Sequence, residues 1–370
     1  MLDFTSALYL GLQHASSALA PWEQLTCGVP AALREPPESA AVARAVAHLV
    51  GLPRALLAPS TLHLFFDVFD ALVGDGGAPA VLLWDQGSYP VARWGMERAA
   101  ARGVPAYAFA HHQPAALQRR LREARGRRAL VLTDGFCPGC GRAAPLARYL
   151  ELLRPHGGLL VLDDTQALGL LGTPAAGSPY GEGGGGSLRH AGVGGGPQVL
   201  WCASLAKGFG VPLAVAAGSA PCIGRLREEG ETRLHCSPPS LAALHAAQAA
   251  LALNAAVGEQ LRERLARRVR AFRAHLREAG LSATGGAFPV QRLEVPADVE
   301  PGALELQLRG RGVRAVLQRG RCGPRLSVSF LLTARHPPQA LAQGVAALAA
   351  ALQAARGSAG GAGAQARAAH

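Results

Sequence analysis

At 370 residues, with 49% hydrophobic and 17% charged residues, the chain is too long for one minimal core and fits a large domain plus a smaller one. It has no uninterrupted apolar run near the roughly 20 residues of a membrane span, no cationic secretory start in Met1–Ser6, and an odd, scattered set of seven cysteines, so a cytoplasmic protein without a disulfide framework is expected. The formal charge of +12 does not make it a nucleic-acid binder: the arginines of 119–128 and 262–277 alternate with Glu123, Glu263 and Glu278 as on solvated helix faces, and 5% aromatic content leaves few stacking platforms.

In chain order, Pro59-Ser60-Thr61-Leu62 before the apolar run His63–Phe69 reads as a capped helix start. Val81–Asp85 follows as a strand, with Tyr89 just past its end. His111-His112 closes another apolar stretch; as neighbours on a strand they should face opposite ways, one packed and one wet. A helix over Ala115–Arg125, a strand over Ala129–Asp134, a helix over Ala144–Arg154 and strands over Leu159–Asp164 and Val199–Ser204 complete an α/β rhythm. Such continuous apolar runs fit strands buried on both faces of a mostly parallel sheet, and Trp84 and Trp201 within them are expected in the core. Ligands collect at the carboxyl ends of such strands, which is where Asp85, Asp134, Asp163 and the Ser204–Lys207 loop fall.

Cys137-Pro138-Gly139-Cys140 is a C-x-x-C. With no second such pair and no His/Cys pair at ligand spacing after it, a complete zinc site is not expected, which leaves a redox or regulatory role as its functional reading. The glycine-rich stretch 173–197 reads as a long flexible loop. From about Glu259 an Arg/Glu helix, the strand-like segments Phe288–Val295 and Leu326–Leu332 and an Ala-rich helix Pro338–Ala355 suggest a smaller α+β domain. The predicted boundaries are 1–44 for an N-terminal arm, 45–255 for the large domain, 256–356 for the small one, and 357–370 for a disordered tail.

Lys207 is the only lysine among the 37 Lys and Arg residues. Arginine can replace lysine in charge and phosphate contacts but stays protonated and cannot form a Schiff base. A lysine kept alone, in the apolar, glycine-flanked Ala203–Gly210, is therefore a candidate reactive amine, against the plainer reading of a chance survivor on the surface. An aldehyde cofactor on that amine needs an anion at its ring nitrogen, a phosphate cradle and a flat stacking partner. Asp163, the Ser60–Leu62 helix start and Tyr89 are available for the three.

The segments Asp163–Gly172 and Ser204–Gly210 resemble the α-oxoamine synthases, within the class I/II (fold type I) pyridoxal-phosphate enzymes. The resemblance continues through Thr133-Asp134-Gly135, Ala144-Pro145-Leu146, Ser237-Pro238-Pro239, Arg325–Val328, Thr333-Ala334 and the opening Asp3–Leu12. It implies a fold type I transferase, with a large domain of mostly parallel sheet flanked by helices and a smaller C-terminal α+β domain. It implies pyridoxal 5'-phosphate on Lys207, Asp163 at the pyridinium nitrogen, and Ser204 with Ser60, Thr61 and Leu62 at the phosphate. Arg325 would hold the substrate carboxylate. A homodimer is implied, in which His235–Ser237 approaches the partner subunit's cofactor phosphate. The implied substrates are an amino acid and an acyl thioester, on CoA or a carrier. The chain departs from the family in four places: Gln166 and Tyr89 stand where histidines are expected, Pro138 replaces a serine, and the glycine-rich, histidine-containing stretch is not recognisable around Cys27–Ala41. Gln166 still hydrogen-bonds but does not titrate near neutrality, so an aminotransferase is the rival implication.

Overall fold

The computed structural model describes residues 1–74, 79–320, 322 and 326–367, the side chains of 357–367 excepted. The chain forms two compact units. The larger comprises Leu12–Cys137 and Ala143–Glu259; the smaller comprises Met1–Gly11, Pro138–Arg142 and the chain from Gln260 onward.

The larger unit is organised by a seven-stranded sheet: β1 (Arg54–Ala58), β2 (Ala80–Asp85), β3 (Ala106–Phe109), β4 (Arg128–Asp134), β5 (Leu159–Asp163), β6 (Val199–Ser204) and β7 (Ala214–Gly218). Their order is β1-β7-β6-β5-β4-β2-β3. Only β7 runs against the rest. Successive side chains of a strand point to opposite faces, and both faces here are dry. Val81, Leu83, Val131, Leu160 and Leu162 enter one core, whereas Leu82, Leu130, Leu132, Leu159 and Val161 enter the other. That two-sided burial is why these strands read as unbroken apolar runs.

Helix α1 (Glu38–Val50) precedes β1, helices α2 (Thr61–Val73), α3 (Pro90–Ala101), α4 (Pro114–Glu123) and α5 (Leu146–Leu153) connect the strands from β1 to β5, and α6 (Ala220–Glu229) follows β7. Pro90 and Pro114 open α3 and α4, where a missing N–H costs nothing and the fixed φ suits the first turn. Helix α7 (Leu241–Glu278) begins in the larger unit and ends in the smaller. By length and composition alone it could cross a membrane, but Ala243, Leu244, Ala246, Ala247 and Ala250 lie in the first of the two cores.

The smaller unit carries an antiparallel sheet of β8 (Ala283–Thr284), β9 (Val290–Leu293), β10 (Val316–Arg319) and β11 (Leu326–Leu331), in the order β8-β9-β11-β10. With it go α8 (Pro301–Gly310) and α9 (Pro338–Arg367). Phe4, Phe272 and Phe330 pack ring to ring. Leu2–Asp3 pairs in parallel with Val313–Arg314.

Several expectations are corrected. The N-terminal arm is not a separate unit: its first eleven residues belong with the C-terminal fold, because Phe4 is buried there. Residues 173–197 are not a structureless loop. Thr173–Ala175 and Ser178–Glu182 pair as strands, and Ser187–His190 is a helical turn, joined by glycines 183, 184 and 186 at positive φ. The backbone of α9 continues to Arg367, into the segment expected as a disordered tail. His111 and His112 do not face opposite ways: they sit in a turn past β3, and their rings stack with centroids 3.8 Å apart. Trp84 is only partly buried, while Trp201 is fully buried. Arg262, expected on a wet face, is buried.

Candidate functional site

The sheet register lines the predicted residues along one edge. Ala58 pairs with Ala214, which pairs with Ser204. Cys202 pairs with Asp163, which pairs with Asp134. Since β1, β6, β5 and β4 are parallel, their carboxyl ends fall on the same edge, where loops rather than backbone ladders decide what the strands present.

Asp163 is buried and ends β5. Its Oδ1 accepts the Thr165 N–H at 3.0 Å. The Thr165 hydroxyl oxygen in turn accepts the Ser204 N–H at 3.0 Å, and Ser204 Oγ accepts the Ala206 N–H at 3.1 Å. The lysine loop is thus bolted to the aspartate loop through one threonine. Lys207 is half-buried, and its Nζ lies 5.6 Å from the Tyr89 ring centroid, within the range of a cation–π contact. Tyr89 is fixed by its own N–H, which donates to Asp134 Oδ1 at 3.0 Å.

Burial, and then the negative charge of Asp134, push the Asp163 carboxyl above its usual range, against the pull of Thr165 and Lys207. A buried carboxylate in that condition is short of positive charge, and a protonated ring nitrogen would supply it. Its neighbour Asp164 is pushed up to about 7, chiefly by burial. Asp164 Oδ2 accepts from the Ser187 N–H and the Trp201 indole N–H, each at 2.8 Å. A Cβ at Gly135 or Gly186 would collide with this carboxylate, so the glycines let two loops close over it. Asp164 is a structural post and Asp163 the available group.

Ser60 caps α2. It holds extended backbone, and its Oγ accepts the His63 N–H while lying 2.8 Å from His63 Nδ1. Thr61 is half-buried and Leu62 exposed. The first turn of α2 carries no acidic residue, leaving its unpaired N–H groups and the positive end of its dipole to an anion. Gln166 is half-buried in the turn after Asp164, three residues past Asp163. Arg325 lies outside the described residues.

The structure therefore brings Lys207, Tyr89, Asp163 and Ser204 together, and places Ser60–Leu62 and Gln166 on the same edge. It gives Asp134, already placed at a strand end by the sequence, the part of fixing Tyr89, and adds Thr165 and His14, whose Nε2 lies 2.8 Å from the Phe209 carbonyl. Thr165 had a legible signal in its position two residues past a strand-terminal aspartate. His14 had none, being far away in sequence.

Comparison with known proteins follows the same line. Residues 94–309 match the family model described as aminotransferase class I and II. The 8-amino-7-oxononanoate synthase of Alkalilimnicola ehrlichii is 31% identical over 314 residues, covering 84% of this chain and 76% of that protein. That of Delftia acidovorans is 31% identical over 330 residues, covering 85% and 77%. Among solved structures, Sphingomonas wittichii serine palmitoyltransferase superposes with a TM-score of 0.81 at 18% identity, over 95% of this chain and 87% of that one. The 8-amino-7-oxononanoate synthase of Francisella tularensis gives 0.74 at 16% identity, over 95% and 98%.

Proposed function

Because this chain belongs to the aminotransferase class I and II family, we propose that it is a pyridoxal 5'-phosphate-dependent transferase of α-oxoamine synthase type, which C-acylates an amino acid with an acyl thioester. The observation that carries this reading is the joining of the chain's only lysine, Lys207, to the buried, cation-seeking Asp163 through Thr165 and Ser204. Those residues fit the cofactor. Bound there, it supplies an electron sink that stabilises negative charge on a substrate carbon.

The chain's own groups divide the remaining work. Lys207 would anchor the cofactor and would take up the proton from the substrate α-carbon. Asp163 keeps the ring nitrogen protonated. Gln166 would offer its amide N–H to the ring oxygen, a role that needs no titration. Tyr89, beside the Lys207 amine, would stack on the ring. Ser204 and the Ser60-Thr61-Leu62 turn hold the phosphate, Ser60 while also capping α2. Arg325 takes the substrate carboxylate. A homodimer is part of this reading; beside the α2 start lies an open groove of about 380 Å³ lined by Leu62, His63, Phe66, Glu231, Thr232, His235 and Cys236.

The test is incubation of the cofactor-loaded protein with single amino acids and a panel of acyl thioesters, following thiol release and amino-ketone formation. Thiol release that requires both substrates supports the acyltransferase. Keto-acid formation from an amino acid alone, with no thiol released, would replace it with an aminotransferase.

A further inference from the structure

The formal charge of +12 is not spread over the molecule. The sequence of the larger unit holds 19 Arg and Lys against 18 Asp and Glu, whereas that of the smaller unit holds 18 Arg against 7 Asp and Glu, so the smaller carries +11 and the larger +1. An arginine-rich composition would by itself raise both. All five aromatic residues of the smaller unit, Phe4, Tyr9, Phe272, Phe288 and Phe330, are buried. This basic body therefore offers no ring on which a nucleic-acid base could stack.

Much of the excess gathers on α7 beyond Gln260. There Leu265, Val269, Phe272 and Leu276 are buried and form a single inner stripe. Two arginines serve the interior: Arg262 is buried, and Arg273 donates to the Ala283 carbonyl at 2.9 Å and to Gln291 Oε1 at 2.8 Å. With about 3.6 residues per turn, Arg264 and Arg268 line one flank of the outer face and Arg270 and Arg277 the other, with Ala271 and Ala274 between the flanks. Arg264, Arg270 and Arg277 are exposed; Arg268 and the two alanines are half-buried. Acidic residues bound the face at its ends, where Glu263 pairs with Arg267 and Glu278 lies 3.1 Å from His275. Among the described residues the four flanking arginines have no acidic partner, and Arg268 Nε is buried without an acceptor.

Two ordinary explanations fall short. The helix dipole favours cations in the last turn, which covers Arg277 but not Arg264, Arg268 or Arg270. A plain solvated helix is served by alternating charge, whereas Arg264 with Arg267 and Arg268, and Arg267 with Arg270, repel one another at i,i+3 and i,i+4. We propose that the outer face of α7 from Arg264 to Arg277 is a docking surface for an acidic helix of a partner protein. Its carboxylates pair with the arginines of both flanks, forked donors that suit carboxylate geometry, and its backbone lies over Ala271 and Ala274, whose small side chains permit close approach of two helices. A second copy of this chain would bring the same positive face and be repelled. Charge pairs at such a rim speed association and select the partner.

The inference does not depend on the proposed function, and its test uses no turnover. A fluorescent peptide as long as the face, locked as a helix with glutamates on both flanks of an alanine stripe, is titrated with full-length protein and followed by anisotropy. It should bind at least about tenfold tighter than a peptide of the same composition with its glutamates scattered around the helix, and weaken as salt rises. The double variant Arg264→Glu, Arg268→Glu should lose at least about tenfold in affinity and gain affinity for the matching lysine peptide, whereas Arg119→Glu, Arg122→Glu in α4 should change nothing. If the charge-reversed protein does not fold, glutamine at the same two positions gives the loss arm. Equal binding of ordered and scattered peptides, no binding, or no loss in the α7 variants overturns the surface. So does an oligonucleotide of equal charge that displaces the peptide and is itself lost on the same variants, which would make the face a nucleic-acid site.

Discussion

Asp163 and Asp85 are two buried aspartates at the carboxyl ends of strands in one sheet, and they are tuned in opposite directions. Asp85 is surrounded by donors from Gly87, His111 and His112, so its charge is stabilised despite burial. Asp163 has the Thr165 N–H, with the Asp134 carboxylate adding repulsion. Saturated with protein donors, a buried carboxylate acts as a fixture; left short of them beside another anion, it recruits a cation from a ligand.

The contrast is tested most severely at the amine that the Asp163 region serves. Lys207→Ala should remove the borohydride-reducible visible absorption of cofactor-loaded protein and cut turnover on the order of 10⁴-fold or more; retained turnover would mean Asp163 serves some other cation. Asp163→Asn should bind cofactor but turn over about 10²–10³-fold more slowly, the scale of losing one preorganised electrostatic partner, as read by single-turnover kinetics. Asp85→Asn should leave turnover near wild type while destabilising the fold by about 1–3 kcal/mol, since the amide nitrogen cannot accept from the donors of Gly87, His111 and His112; denaturant unfolding measures it. A reversal of those last two outcomes would erase the distinction between fixture and recruiter.

The smallest effect is a slope. The Asp164 carboxyl rises from 3.8 to about 7 on folding, so across that window the folded chain keeps a proton the unfolded chain has released, and stability falls as pH rises. Asp164→Asn should flatten this dependence by up to about 1.4 kcal/mol per pH unit, seen in denaturant unfolding of cofactor-free protein at a series of pH values.

How much of this was legible beforehand follows from where side chains carry a pattern. The strands β2, β4, β5 and β6 were visible because Val and Leu filled both faces, and their ends gave Asp163 and the lysine loop. The strands β1 and β7 carry no such signal. Ala214-Val215-Ala216-Ala217-Gly218 has little β propensity of its own and is a strand because its neighbours on both sides pair with it. The α2 start could be read from Ser60 and the apolar run behind it. The Asp85–His111 pairing could not, because a parallel sheet joins residues 26 apart through a crossover helix that leaves no local spacing to count. Thr165, the bolt between two loops, has the same invisibility on the Ser204 side.

The solitude of Lys207 also makes the protein a convenient chemical reporter of itself. Reagents that acylate amines find one lysine side chain along these 370 residues, so a mass shift at that side chain counts vacant sites molecule by molecule. A protease that cleaves after lysine has a single bond to cut, in the half-buried Lys207-Gly208 loop, and its rate becomes a stopwatch for how often that loop opens.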